Sequence, residues 1–344
     1  MSDVRRRLLE ELAEGPVSGP EFAEAEGVSR AAVWKQIEGL RDAGFAIEST
    51  DEGYEVVDTP AFGGDAVAFD LDAPYDVEFH ESIGSTNERA RELAGEGAAD
   101  VAVVADEQTG GRGRLDREWS APSGGVYVSI VLRPDVPPAH APIFTLAAAV
   151  ATTRACREAG VHATIKWPND VLVVGDGGGD GGEEGDGDGG EEGDGDSGDD
   201  GSADAESTPS RGGHKLAGIL TEMEGEADRV NWLVVGIGVN ANVDAAALPP
   251  GATSLREQVG DVDRRVFLQR VLEEFHDLAE APETVLPAWR DYAETIGQQV
   301  RVETGSGVIE GEAVDVEFPG ALVVETDEGR ERVLAGDCEH VRPT

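Results

Sequence analysis

The sequence predicts an α+β chain of several domains: a winged helix-turn-helix, a larger mixed-sheet unit, and a small β-barrel at the end. Three observations predict it. Apolar residues recur at helical spacing between Val4 and Leu40 and then give way to an alternating hairpin. Strand-like and helix-like segments alternate over residues 75–295, and residues 296–344 hold only short strand-like runs between glycine turns. A chain of 344 residues has room for two or three domains of ordinary size.

Taken in order, VRRRLLEELAE (4–14) places Val4, Leu8, Leu9 and Leu12 on one helical face, ended by Gly15-Pro16. Residues 19–26 form a short second helix, and Gly27-Val28 turns the chain into a third, capped by Ser29 and carrying Ala32, Val33, Trp34, Ile37 and Leu40. FAIESTDEGYEVV then alternates around Asp51, Glu52 and Gly53 as a two-stranded wing does. A third helix in this setting can enter a major groove, with Arg30, Lys35 and Arg41 on phosphates. Residues 1–59 nevertheless carry six basic and fourteen acidic residues, so a winged unit used only for packing remains the alternative to DNA binding.

Residues 60–74, with their prolines and glycines, read as a linker, and residues 75–295 as the catalytic-sized unit. YDVEFHESI is a strand, STNERARELAGEG a capped helix, VAVVADEQ and GVYVSIVLRP strands, and APIFTLAAAVATTRACREAG a long helix rich in small residues. TIKWPNDVLVV, KLAGILTEME and RVNWLVVGIGVNAN read as three further strands, and residues 264–294 as helix interrupted near Pro282. Between the first two of those strands, residues 175–213 hold 14 acids, one arginine and no large apolar residue, a composition expected to be disordered. VRVET, GVIEGEAVDV, ALVVET and RERVL complete the barrel.

The net charge is −44, and without residues 175–213 it is still −31, so the folded parts are acidic too. Such a charge argues against broad binding to nucleic acid or membrane surfaces, which are themselves anionic. No stretch approaches the ~20 apolar residues of a membrane span. MSDVRRRLLEELAEG has arginines with no apolar run behind them, unlike a signal peptide, and the expectation is a soluble cytoplasmic protein with no membrane partner. Cys156 and Cys338 cannot build a disulfide framework or a cysteine-rich zinc site. The acidic, lysine-poor chain, with 5% aromatic residues, resembles proteins of salt-accumulating halophiles such as haloarchaea, in which molar salt screens self-repulsion. An acidic protein of an ordinary cell is the alternative.

The three lysines are Lys35, Lys166 and Lys215, and where arginine serves almost everywhere else, a retained lysine suggests a need for a compact ammonium. Two of them flank the acidic segment, which points to a site there. Gln108 through Arg117 (QTGGRGRLDR) follows a strand and offers Arg112, Arg114 and Arg117 as planar forks for carboxylate or phosphate oxygens, with glycines that let backbone approach a ligand; a flexible solvated loop is the alternative. In KWPND, Lys166 can hold a phosphate while Asn169 and Asp170 offer oxygens that suit Mg²⁺, unless the stretch is simply a Trp-Pro turn. Ser85-Thr86-Asn87 stands at a helix start, where capping and ligand contact can share a residue. Gly236-Ile237-Gly238-Val239-Asn240 lacks a dinucleotide fingerprint. With no nucleophile constellation and no paired histidines, the chemistry that fits is phosphoryl or nucleotidyl transfer by positioning and charge.

Ser85-Thr86-Asn87, GGRGRLDREW (110–119), KWPND (166–170), KLAGIL (215–220) and GIGVN (236–240) occur in the order that resembles biotin protein ligases. SRAAVWKQIEGLRDAG and the GY-containing wing resemble the DNA-binding domain of the bifunctional ligases that also repress the biotin operon. The resemblance implies a central domain shared with lipoate ligases and related to class II aminoacyl-tRNA synthetases, followed by an SH3-like barrel. It implies that biotin and ATP give biotinyl-5′-AMP with Mg²⁺, and that biotin then passes to a lysine of a biotin carboxyl carrier domain. By motif, Ser85, Thr86, Asn87, Gln108, Arg112, Gly113 and Arg114 would line the biotin and adenylate pocket. Lys215, with Arg112 and Arg114, would carry the catalysis, and Arg117, Lys166, Asn169, Asp170 and Asn240 would serve the nucleotide, Asp170 holding its Mg²⁺. Operator DNA and a second copy of the chain are the further partners implied. Leu115-Asp116 departs from the basic and glycine residues often found in this loop, and the acidic segment lengthens a connection that is short in relatives. A long loop costs little closure entropy, so its removal is expected to leave catalysis intact. A lipoate or octanoate ligase, and a chain that is mainly a biotin-sensing repressor, are the competing readings.

Overall fold

The computed structural model describes residues 3–174 and 213–341. The segment expected to be disordered, 175–213, lies outside the described residues apart from Gly213. In α1 (Asp3–Glu14) Leu8 and Leu12 stand one turn apart and meet Phe22 of α2 (Gly19–Ala25). In α3 (Arg30–Asp42) the buried face is Val33, Ile37 and Leu40, and the Ser29 hydroxyl caps the helix by accepting from the Ala32 N–H at 3.2 Å. β1 (Ala46–Ser49) and β2 (Tyr54–Asp58) form the antiparallel wing. Its turn needs glycine at Gly53, where φ is +138° and a Cβ would lie 2.2 Å from the Val17 carbonyl oxygen.

The stretch expected as a linker holds a short helix, α4 (Gly64–Ala68), whose Ala66 and Val67 are fully buried. Val67 belongs to the core of the central unit, while Ala68 packs against both that core and the N-terminal one. Arg5 of α1 pairs with Asp65 at 2.5 Å, and the Phe69 ring meets Phe45 edge-on at 5.7 Å. The segment is a peg seated in two domains.

Among the described residues, seven strands form the central sheet. β3 (Asp76–Ile83) is followed by α5 (Thr86–Gly95) and then by β4 (Val101–Gln108), which lies parallel to β3 because the helix crosses between them. β5 (Val126–Leu132) is buried along its whole length, with α5 on one face and the large apolar cluster that includes α6 (Pro142–Glu158) on the other. The alanine run of α6, Ala147–Ala151 with Val150, is buried and lets this helix lie close to the sheet. β6 (Ala163–Lys166) and β7 (Asp170–Val173) form a hairpin, so TIKWPNDVLVV is two strands and not the single one expected. Pro168 explains the break, since it has no N–H to give a ladder; the Trp167–Pro168 peptide is cis. β8 (His214–Gly225) and β9 (Val230–Val239) complete the order β3-β4-β5-β9-β8-β7-β6. α7 (Leu255–Val259), α8 (Arg264–Glu280) and α9 (Val285–Tyr292) follow, with α8 and α9 packed on α6.

The C-terminal unit is an antiparallel sheet of β10 (Gln299–Thr304), β11 (Gly307–Glu317), β12 (Ala321–Thr326), β13 (Gly329–Val333) and β14 (Asp337–His340). Its order is β13-β12-β11-β10-β14, and no ladder joins β13 to β14 among the described residues, so the expected barrel is not closed. One face packs inward instead: Val300, Val316, Leu322 and Val324 belong to the same apolar cluster as β5 and α6.

Candidate active site

Segments distant in sequence meet around a cleft of about 230 Å³: the start of α5, the end of β4 with the loop after it, the β6–β7 turn, the first half of β8, the end of β9, Pro249 and the start of β14. The loop after β4 is a β-like excursion. The Gln108 N–H donates to the Ala121 carbonyl at 2.9 Å, the Trp119 N–H to Gly111 at 3.0 Å and the Gly113 N–H to Arg117 at 2.8 Å. At its tip Leu115 has φ +56° and is 73% exposed. The backbone there is left-handed, uncommon for a non-glycine residue.

The arginines divide the work of closing this loop. Arg114 donates to Asn169 Oδ1 at 3.2 Å and to the Gly336 carbonyl at 2.9 Å. Burial lowers its pKa from the usual arginine value, while Asp337 and Asp170 oppose that shift. Arg117 is ion-paired with Asp337, and Arg112 stands exposed on the strand-like arm opposite Glu118. Lys215 Nζ pairs with Asp170 at 2.6 Å and lies 5.2 Å from the ring centroid of Trp119. Trp119 in turn rests on a glycine floor: Gly218 and Gly238 are ladder partners, and Cβ atoms there would approach its ring to 3.1 and 2.9 Å.

At the other end the site is polar and buried. The Thr86 N–H donates to Gln108 Oε1 at 2.8 Å, and Asn87 Nδ2 donates to Glu222 Oε2 at 2.9 Å and to the Leu220 carbonyl at 3.3 Å. Ser129 Oγ stands 2.7 Å from Thr86 Oγ1 and 2.6 Å from Asn87 Oδ1. Ser85 caps α5, its hydroxyl 3.4 Å from the Glu88 N–H. The two-residue spacing of Gly236 and Gly238 puts both on one face of β9, Gly236 beneath Asn87 and Gly238 beneath Trp119. That explains the isolated glycine pair of the sequence without a dinucleotide.

Of the residues singled out by sequence, Ser85, Thr86, Asn87, Gln108, Arg112, Gly113, Arg114, Arg117, Asn169, Asp170 and Lys215 all line this cleft. Lys166 and Asn240 do not. Lys166 ends β6, and its charge acts on Cys338 and His340 of β14. Asn240 is buried, its Nδ2 donating to the Thr253 carbonyl at 3.0 Å while its Oδ1 has no partner among the described residues. Arg41, expected on DNA phosphates, instead donates to the Ile47 carbonyl at 2.7 Å and to Glu38 at 2.6 Å, stapling α3 to β1; Arg30 and Lys35 are exposed. Sequence reasoning missed Trp119, Ser129, Glu222 and the Gly336-Asp337 pair. Ser129 carried a usable signal, a single polar residue inside the apolar run VYVSIVL. Glu222 had none, since it sits in an acidic strand end of an acidic chain.

Residues 80–240 match the biotin/lipoate A/B protein ligase family, residues 295–341 the biotin protein ligase C-terminal domain, and residues 4–55 a helix-turn-helix domain. The chain is 33% identical to the bifunctional ligase/repressor BirA of Bacillus subtilis, over 98% of this chain and 99% of that protein. The chain belongs to the biotin protein ligase family. The ligase is also 27% identical to the BirA of Escherichia coli, over 94% of this chain and 93% of that one. Among solved structures, it resembles the biotin protein ligase from Aquifex aeolicus in complex with biotin and ATP. The TM-score is 0.56 and the identity 25%, covering 78% of the ligase and 99% of that chain.

Proposed function

We propose that this ligase joins the carboxylate of biotin to the α-phosphate of ATP, releasing pyrophosphate, and then passes the biotinyl group to a lysine of a biotin carboxyl carrier domain. The observation that carries the reading is the Lys215–Asp170 pair, 2.6 Å long, set in a cleft with three arginines and no thiol or imidazole. Anhydride formation needs two anions brought together, and cations rather than a nucleophile supply that. Lys215 is a compact charge on a flexible stem, so it can leave Asp170 for the oxygens between carboxylate and phosphorus as charge develops there. Arg112 and Arg114 add forks for those oxygens, and Arg117 and Asn169 stand on the side that would take the polyphosphate. The exposed part of the Trp119 face suits a purine base. In the second step the carrier amine attacks the biotinyl carbonyl, an amide forms, and AMP leaves with the anhydride oxygen.

Mg²⁺ fits the donor set as a partner of the nucleotide. Asp170 offers one carboxylate, no cluster of three metal-ligating side chains exists among the described residues, and Mg²⁺ commonly binds through one carboxylate plus substrate phosphates. Bound there, it would neutralise charge on the phosphates. Arg30 and Lys35, exposed on α3, support operator binding by the N-terminal unit, while its excess of acids weighs against tight binding. The charge of −44 supports a requirement for molar salt, and self-association belongs to the same reading.

The test is mass spectrometry in molar KCl with Mg²⁺, ATP and equimolar biotin and lipoate, followed by a carrier domain. Biotinyl-5′-AMP and then a biotin-mass increment on the carrier are expected; lipoyl-AMP alone would move the chain to the lipoate class. Lys215→Ala is expected to slow adenylate formation by about 10³-fold while biotin binding weakens less than about 10-fold. Equal losses in both would contradict the role given to Lys215.

A further inference from the structure

The polar end of the cleft is wired by short contacts that settle where its hydroxyl hydrogens lie, and the wiring starts at a residue outside the cleft. Glu222 pairs with Arg91 at 3.2 Å through Oε1 and takes Asn87 Nδ2 at 2.9 Å on Oε2. A carboxylate can only accept, so it fixes the Asn87 amide with nitrogen toward Glu222 and oxygen toward Ser129. A Cβ on Gly236 would lie 1.9 Å from Asn87 Oδ1, so the amide is also pressed flat on β9. Both polar atoms of the Asn87 side chain are thereby engaged within the protein.

The order continues inward. Asn87 Oδ1 can only accept, so the single hydrogen of Ser129, a fully buried hydroxyl, lies on the 2.6 Å contact between them. With its own hydrogen placed, Ser129 Oγ can only accept across the 2.7 Å contact to Thr86 Oγ1. The opposite arrangement leaves two oxygens facing each other at 2.6 Å with no hydrogen between them. Thr86 Oγ1 therefore turns lone pairs toward the cleft. Beside it, Gln108 Oε1 takes the Thr86 N–H at 2.8 Å and stands 3.1 Å from Thr86 Oγ1, whose one hydrogen goes to the shorter contact with Ser129, and this leaves Gln108 Nε2 as a donor. Thr86 and Gln108 both line the cleft, one presenting an acceptor and the other a donor. A cyclic urea, with N–H next to C=O, is complementary to that pair, whereas the dithiolane of lipoate has neither group.

We propose that Glu222 is a positioning residue that sets the hydrogen-bond polarity of Thr86 and Gln108 through Asn87 and Ser129, and so selects a cyclic urea. The assignment rests on the biotin reading above. Its test uses the full chain and compares kcat/KM for adenylate formation from biotin with that from the two cyclic carbamates in which one ring N–H is replaced by oxygen. Wild type is expected to prefer biotin by about 100-fold over the carbamate that lacks the N–H facing Thr86, because an oxygen there meets an unmatched buried acceptor. In Glu222→Gln the amide can donate as well as accept, Asn87 can turn over, and the preference is expected to fall below about 10-fold. Glu222→Asp, which keeps the acceptor, is expected to retain most of it, and the KM for ATP is unchanged throughout. Ser129→Ala breaks the relay at a second point and carries the same expectation as Glu222→Gln, including where that variant does not fold. Loss of preference to the same extent in the Asp and Gln variants, or an unmoved ratio in Glu222→Gln and Ser129→Ala, overturns the assignment alone. A wild type that activates lipoate and not biotin overturns the functional reading together with it.

Discussion

The N-terminal unit keeps a core of its own, in which Leu8, Ile37 and Leu40 are completely buried, and meets the rest of the molecule through α4 and a surface pair of Arg6 with Asp76. The C-terminal sheet shares its core with the central unit, and three of its residues reach toward the site. The Gly320 carbonyl accepts from Trp167 Nε1 at 3.0 Å, the Gly336 carbonyl accepts from Arg114, and Asp337 holds Arg117. Both units flank the central sheet, yet only one completes the cleft. An annexed domain with its own core can be lost with little disturbance, whereas one that shares a core and supplies loop contacts is part of the site.

The largest effect should come where the shared core and the site coincide. Trp167 is almost completely buried, its N–H donating to Thr295 Oγ1 at 2.9 Å, and it precedes the turn that carries Asn169 and Asp170. Trp167→Ala is expected to cost about 3–5 kcal/mol in denaturant unfolding and to remove most adenylate formation. Next is Gly336→Ala, whose Cβ would meet Val302 Cγ1 at 2.6 Å and the Glu303 carbonyl at 2.8 Å. Shifting this turn moves the acceptor of Arg114, and a rate loss of roughly 10–100-fold is expected in a single-turnover assay.

A smaller effect concerns pH. His340 Nε2 is 3.2 Å from Thr295 Oγ1, and burial together with the nearby Lys166 pushes its pKa down from 6.5 to about 4. In the unfolded chain the same ring takes its proton first as pH falls. The stability owed to neutral His340 is therefore complete above about pH 6.5 and is lost toward about pH 4. His340→Gln is expected to lessen the fall in Tm between about pH 7 and about pH 5 by roughly 3 °C. The smallest effect should lie at the other boundary. Asp65→Asn, which breaks the pair with Arg5, is expected to cost under about 1 kcal/mol and to leave the ligase rate within about 2-fold, measured on the same preparation. A large rate loss there would erase the contrast between the two units.

Much of this was legible in the sequence, for identifiable reasons. The spacing of Leu8, Leu12, Val33, Ile37 and Leu40 carries helical periodicity, and Ser29 and Ser85 announce the helix starts they cap. The arginine loop and Lys215 were visible because glycines and scarce lysines stand out against an acidic background. Three features were not legible. Pro168 hides a hairpin inside what looks like one apolar run, and only the ladder between β6 and β7 reveals it. Arg41 and Lys166 have the chemistry of ligand contacts, but one staples a wing and the other faces β14, which depends on tertiary neighbours. Glu222 and Gly336 act through partners more than 100 residues away in sequence, Asn87 and Arg114, and no local pattern encodes such pairing.

The claim that the cleft is completed by the C-terminal unit and not by the N-terminal one has a direct test. Biotinyl-5′-AMP formation would be measured in molar KCl with Mg²⁺ and ATP for the intact chain, for residues 60–344, and for Gly336→Ala. The account predicts that residues 60–344 form the adenylate within about 3-fold of the intact chain while Gly336→Ala is slowed roughly 10–100-fold. A rate lost with the N-terminal unit and untouched by Gly336→Ala would contradict it.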